Sequence, residues 1–237
     1  MKHLGIGFLV VVGILAFGWN AKTTSDPQLM SVKFSDGFIP DGFDTNDNVQ
    51  IVAEGWFHNS CFRPGLTGVT VDSAKKLIHV DPTAYVYGGF CLQVMVNYTE
   101  VMNVGFLEAG KYKIVQGVEQ APLGEVAIRV AANSSPDDYF YAPINQAYVT
   151  VENGNASVKL SGVFTNSCMK LASVMTNVQT KVLVVQPIAE LAEGSDCQQG
   201  EYPFVKDVVV EGVKPGRYLL HVRSLNSKAV NTLFDVY

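Results

Sequence analysis

Four cysteines, three histidines and one acidic stretch are the residues of this chain whose types and spacing bear on chemistry. Apart from His3, the histidines are His58, His79 and His221, and no two of them lie within four residues of each other. A metal site or a nucleophile–base pair needs such groups brought together, and the local sequence does not do this. His79 and His221 fall in strand patterns, where a histidine packs or is solvated on a sheet face. The chain contains no G-x-S-x-G, H-E-x-x-H, phosphate-binding glycine loop or C-x-x-C, the short motifs that carry a catalytic mechanism. The expectation is a non-enzymatic protein with no cofactor.

The acidic stretch is DGFIPDGFDTNDN, residues 36–48. Oxygen ligands at alternating positions suit calcium, and Asp44, Asn46 and Asn48 are so spaced. No glutamate closes the loop in the manner of an EF-hand, so the ligand set is partial. The favoured reading is a turn-forming loop of Asp, Asn and Gly leading into a strand at Val49.

The cysteines, Cys61, Cys91, Cys168 and Cys197, are even in number, and the N-terminus suggests an oxidising compartment for them. Met1-Lys2-His3 precedes an uncharged apolar run from Leu4 to Trp19, the layout of a secretory signal peptide, with Ala16 and Gly18 placed for cleavage after Gly18. A retained membrane anchor is the alternative, but a spanning helix needs about 20 apolar residues and this run is shorter. Residues 1–18 are therefore read as a signal peptide and the mature chain as secreted or periplasmic, with no integral span after signal removal. Apolar residues are 48% of the chain and charged residues only 16%, against about a quarter charged in an average domain. The formal charge is −5 with no basic block or stripe, which argues against nucleic acid as a partner.

A repeat organises the rest. Phe57-His-Asn-Ser-Cys61 returns as Phe164-Thr-Asn-Ser-Cys168. Downstream, Ile78-His-Val-Asp-Pro82 matches Leu183-Val-Val-Gln-Pro187, Cys91 matches Cys197, and Leu107-Glu-Ala-Gly-Lys-Tyr112 matches Val213-Lys-Pro-Gly-Arg-Tyr218. Continued without a gap, the alignment sets Glu125–Val130 on Asn231–Val236. Two units of roughly 100 residues, the usual size of a domain, follow from this: 30–130 and 139–237, joined by a polar linker at 131–138. Equivalent positions then pair Cys61 with Cys91 and Cys168 with Cys197. Each bridge closes a loop of about 30 residues, worth roughly 3–4 kcal/mol in the chain-entropy model.

Within each unit apolar residues alternate, as in Val49, Ile51 and Ala53, in Val158, Leu160, Gly162 and Phe164, and in Tyr218, Leu220 and Val222. Asn153-Gly154 and Pro215-Gly216 are turn signals. Short alternating strands in units of this size predict an all-β protein of two tandem antiparallel β-sandwich domains, immunoglobulin-like in form, with one disulfide each.

The frame N-S-C, then K-x-I-x-V-x-P, a second cysteine, Pro203-Phe204 and L-x-x-G-x-Y resembles a module of uncharacterised bacterial exported proteins that carry a repeated disulfide-bonded β-sandwich. The resemblance covers both units and departs in the first, where Asn97-Tyr98 stands in place of Pro203-Phe204. It implies fold and export and brings no catalytic residues.

The units differ most before their second cysteines. The first reads AYVYGGF, with Tyr85, Tyr87 and Phe90, while the second carries Glu190, Glu193 and Asp196. Aromatic residues around a Gly-Gly turn are contact-surface chemistry, because tyrosine offers large area at low entropic cost. Tyr85, Tyr87 and Phe90, with Arg63 beside them, are the candidate binding residues. Burial of the tyrosines at a strand end is the alternative. Arg63 and Lys170 are matched basic positions, read first as a solvated face. The expected partner is a protein or glycan at the cell envelope or outside the cell. A secreted inhibitor of a hydrolase such as a protease is the second reading, and a hydrolase with a site between the units a third.

Overall fold

A computed structural model describes residues 26–237 except 136, 153–154 and 193–195. The expected signal peptide, the Asn153-Gly154 turn and Glu193 lie outside the described residues. All regular structure among the described residues is β. The first half holds β1 (Gln28–Ser31), β2 (Asp36–Phe38), β3 (Phe43–Asp44), β4 (Val49–Phe57), β5 (Phe62–Pro64), β6 (Gly68–Asp72), β7 (Leu77–Asp81), β8 (Thr83–Val86), β9 (Val96–Gly105), β10 (Gly110–Gln116) and β11 (Ala121–Arg129). The second holds β12 (Ile144–Glu152), β13 (Asn155–Asn166), β14 (Met169–Val178), β15 (Val182–Leu191), β16 (Gln199–Val210), β17 (Gly216–Ser224) and β18 (Lys228–Val236).

Ladder pairing among these strands stays within each half. Sheet β2-β4-β9 is matched in order by β12-β13-β16, and β6-β7-β10-β11 by β14-β15-β17-β18. The first half adds β3 beyond β11 and a small sheet, β1-β8-β5. The expectation of purely antiparallel sheets is corrected at three places, since β7 runs parallel to β10, β15 to β17 and β3 to β11. Alternation reports which face a side chain takes and is the same for both strand senses, so it could not tell them apart. The chain between β15 and β17 passes through β16 in the opposite sheet, which supplies the crossover a parallel pair requires.

The gap-free alignment is also corrected in its last strand. Tyr112 lies opposite Val126 whereas Tyr218 lies opposite Phe234, so Val126 corresponds to Phe234 and not to Thr232. A register shift between Ile114 and Val115 breaks the first hairpin, while the second is regular to Ser224↔Lys228.

The N-S-C motif has the same work in both halves. Asn59 Oδ1 accepts from the Cys61 amide at 2.9 Å, as Asn166 Oδ1 does from Cys168 at 3.0 Å. Ser60 Oγ accepts from Leu92 N at 2.9 Å, and Ser167 Oγ from Gln198 N at 3.0 Å. Asparagine thus bends the chain and serine ties down the residue after the second cysteine, so the two thiols meet. Cys61 bonds to Cys91 and Cys168 to Cys197, each with Cα atoms 5.3 Å apart. Beside each bridge an aromatic pair stacks, Phe57 on Tyr98 at 4.1 Å and Phe164 on Phe204 at 4.5 Å. The residues opposite Tyr98 and Phe204 are Gly55 and Gly162, where a Cβ would overlap the ring. Tyr98 therefore fills the role of Phe204 despite the changed sequence around it.

Each half has its own core. Val49, Ile51, Ala53, Ile78, Tyr112 and Ile114 are buried in the first, and Val158, Leu160, Leu183, Val185, Leu220 and Val222 in the second. A third cluster joins them: Phe38 and Val52 from β2 and β4 pack against Val182, Val184 and Leu219 from β15 and β17, with Leu233 alongside. Strands β15 and β17 are thus buried on both faces, one toward their own core and one toward the other half, as parallel strands commonly are. Asn133, Ser135 and Asp137 tie the connecting stretch to both halves. Asn46 Nδ2 donates to the carbonyls of Asn133 and Ser135 at 2.7 and 3.1 Å, and Asp137 accepts from the amides of Asn226 and Ser227, both at 3.2 Å.

Leu219 is fully buried between the halves, and its truncation leaves a cavity that neither sheet can close. Leu219→Ala is expected to lower unfolding stability by about 2–5 kcal/mol, measured by urea denaturation. A loss below about 1 kcal/mol is what an exposed leucine would give and would show that the halves do not pack through it.

Candidate functional site

The aromatic loop of the first half is built on the sheet β1-β8-β5. Tyr85 lies on β8 between Leu29 of β1 and Arg63 of β5 and is half-buried. Tyr87 follows, its amide donating to the Cys61 carbonyl at 3.1 Å. The disulfide and the Ser60–Leu92 hydrogen bonds then hold the loop while its side chains stand in solvent: Tyr87 is 47% exposed and Phe90 92%. Burial of both tyrosines is therefore not what the structure has. Arg63 folds back on its own turn, Nη1 donating to the carbonyls of Ser60 and Phe62 at 2.8 and 2.6 Å. Its guanidinium braces the loop base.

The exposed apolar surface extends past the residues that the sequence singled out. Leu92, Val94 and Met95 are each at least half exposed, and Trp56 is 48% exposed. Trp56 pairs with Asn97 across β4 and β9, near the end of the ladder where Met95 leads into β9. The available signal was LQVMV directly after Cys91, an apolar segment in a loop clamped by a disulfide. In the second half the counterpart is polar, with Lys170 paired to Glu190 at 2.8 Å.

The loop considered for calcium lies at the junction of the halves. Asp44 is buried, its Oδ1 accepting from Asn46 N at 2.8 Å, while Asp47 Oδ2 accepts from Asp44 N at 2.9 Å. Asn46 is turned to the 131–138 segment, as described above. Asn48 lines a small cavity with Phe43, Asp47, Tyr141, His221 and Arg223. Among the described residues no group of three or more His, Cys, Asp or Glu side chains is placed to hold a metal.

Arg223 is the centre of that junction. It is 4% exposed, donates Nη1 to both Asp47 oxygens at 3.2 and 3.1 Å and Nη2 to the Gly42 carbonyl at 2.8 Å, and lies over the Phe43 ring at 5.0 Å. Its Nε has no partner among the described residues. At the other end of β17, Arg217 Nε spans both oxygens of buried Glu54 at 2.8 and 2.9 Å while Nη1 reaches Asp235 at 2.7 Å. Between them Asn231 Nδ2 donates to Gln50 Oε1 at 2.9 Å, which leaves Asn231 Oδ1 to accept from His221 Nδ1 at 2.7 Å. The other histidines are elsewhere. His79 Nε2 meets the Gly117 carbonyl at 2.8 Å, and His58 sits edge-on to Phe62.

No protein-family model matches the chain, and neither a curated protein nor a solved structure matches it.

Burial pushes His221 down to about 4, outweighing the bond from Asn231, and the Arg223 charge acts in the same direction as burial. A group whose folded pKa is depressed favours the folded state above its unfolded pKa and loses that contribution as pH falls. Burial, and then the neighbouring Asp44 carboxylate, raises Asp138, and burial also raises Asp137. Those two carboxyls act oppositely, relieving the folded state on acidification. Comparison with a His221→Gln variant separates the effects. Between pH 7 and 4.5 the native chain is expected to lose about 2–3 kcal/mol more stability than the variant. Parallel pH profiles in urea unfolding would mean that His221 is not held neutral by the interface.

Proposed function

We propose that the chain is an exported, non-enzymatic binding protein of two immunoglobulin-like units. On this reading it presents the disulfide-clamped loop Tyr85–Met95 to a protein or glycan at the cell envelope or outside the cell. The observation that carries the reading is the run of exposed apolar side chains, Tyr87, Phe90, Leu92, Val94 and Met95 with Trp56, on a loop whose backbone is fixed by a disulfide and by hydrogen bonds to Ser60. Apolar residues displayed on a fixed loop bind at low entropic cost, because little order remains to be imposed on association. The shared strand order of the halves, with a parallel central pair in each, supports a duplicated unit. Two disulfides support an oxidising compartment. No helix among the described residues is long and apolar enough to cross a membrane.

The test is retention of partners from an envelope extract and on a glycan array, comparing the native chain with a Tyr87→Ser/Phe90→Ser double variant. Desolvated aromatic anchors each contribute about 2 kcal/mol, about thirtyfold apiece, so the double variant is expected to lose on the order of several hundredfold in affinity at an unchanged melting temperature. Full retention at an unchanged melting temperature would place the binding site elsewhere.

A further inference from the structure

A cleft runs along the second half between β14 and β16. Each strand is the last of its sheet, so both present backbone groups with no ladder partner on that side. The cleft encloses about 580 Å³ between Leu171–Val174 and Phe204–Val209. Leu171, Val174, Phe204 and Val208 pack on the core below it and remain only partly covered.

The first half shows the same two edges in a closed arrangement. There β6 approaches β9, Thr67 Oγ1 donates to Glu100 Oε2 of β9 at 2.6 Å, and Val69 packs on the core. No hydrogen bond joins β14 to β16 among the described residues. The closure present in one half is therefore missing from the other, at the place where a further strand would fit.

Of the two edges, β16 is the better template. A register shift between Leu171 and Ser173 breaks β14, whereas β16 pairs regularly with β13 from Tyr202 to Val210. Along β16, Phe204, Lys206 and Val208 share one face, opposite Gly162, Leu160 and Val158; Phe204 and Val208 are partly buried and Lys206 is exposed. Asp207 alternates to the other face, lies opposite Lys159 in the register, and also borders the cleft. Lys206 lies opposite Leu160 on the cleft side and has no carboxylate within ion-pair range among the described residues. The cleft thus combines an apolar floor, a free strand edge and, on the face of Phe204 and Val208, a single charged side chain, Lys206. Two copies of this chain pairing about the middle of the cleft, at Lys206 or Asp207, would set like charges directly opposite.

We propose that the cleft takes an extended segment of a partner protein, apolar at alternate positions and carrying a carboxylate opposite Lys206, which adds as a strand to the free edge of β16. Main-chain bonds then supply affinity, and the alternate side chains supply selection. This surface is distinct from the Tyr85–Met95 loop and does not depend on it.

The probe is the peptide Val-Thr-Val-Thr-Glu-Thr-Val-Thr-Val and its counterpart with Lys in place of Glu, tested by fluorescence anisotropy and amide hydrogen exchange on the whole chain. The Glu peptide is expected to bind about tenfold tighter than the Lys peptide, with exchange slowed at Phe204–Val210. Lys206→Glu should reverse the preference. Lys206→Gln, which should abolish it, serves if the charge reversal perturbs folding. Equal binding of the two peptides would overturn the proposal, as would protection confined to Tyr85–Met95. So would a dimer of the chain, closed through β16, that neither peptide dissociates.

Discussion

The seam between the two halves constrains everything else in the molecule. A guanidinium out of water is tolerable only when its charge is answered, and Asp47 and the Gly42 carbonyl answer Arg223 across that seam. Arg223 is on β17 and Asp47 on the loop ahead of β4, so satisfying the pair sets the position of one half against the other. The apolar contact of Phe38 and Val52 with Val182, Val184 and Leu219 stabilises that position. Arg217 with Glu54 and Lys181 with Asp36, the latter at 2.6 Å, hold its margins. Removal of either member of the buried pair would strand the other, which makes the orientation far more specific than apolar packing alone would require.

A fixed seam changes what the two proposed binding surfaces can do. Two units on a free tether would sample many relative positions, and a ligand touching both would have to select one of them. Here the connecting segment is bonded to Asn46 on one side and to the amides of Asn226 and Ser227 on the other, so the aromatic loop and the β14–β16 cleft are held in a constant relation. The disulfides do the same at shorter range. They anchor the loops that leave each sheet and let one of them display Phe90 and its neighbours without collapse onto the core.

Much of the fold was legible in the sequence because its causes are local. Asn-Ser-Cys recurs because each residue has a separate mechanical task beside a disulfide, and alternation marks the core face of β4, β13 and β17. What was not legible depends on contact between distant segments. His221 and Arg223 sit in an alternating strand where every second residue is expected to meet water, and only the presence of the other half buries them. The continuous apolar run at Val182–Val185 is the trace of that second buried face, but such a run is equally consistent with any interior strand. The segment 131–138 has linker composition, yet the carbonyls of Asn133 and Ser135 and the carboxylate of Asp137 accept bonds from the two halves. At the candidate site, the aromatic residues stood out by type, whereas Leu92, Val94 and Met95 resembled an ordinary strand and only the disulfide-held loop exposes them.

The central claim is that the two halves form one rigid body. Backbone ¹⁵N relaxation measured separately over residues of β4, β9 and β10 and over residues of β13, β16 and β17 tests it most directly. A single rotational correlation time, that of a globule of the whole described chain, is the expected result. Two shorter and unequal correlation times, one for each half, would contradict it.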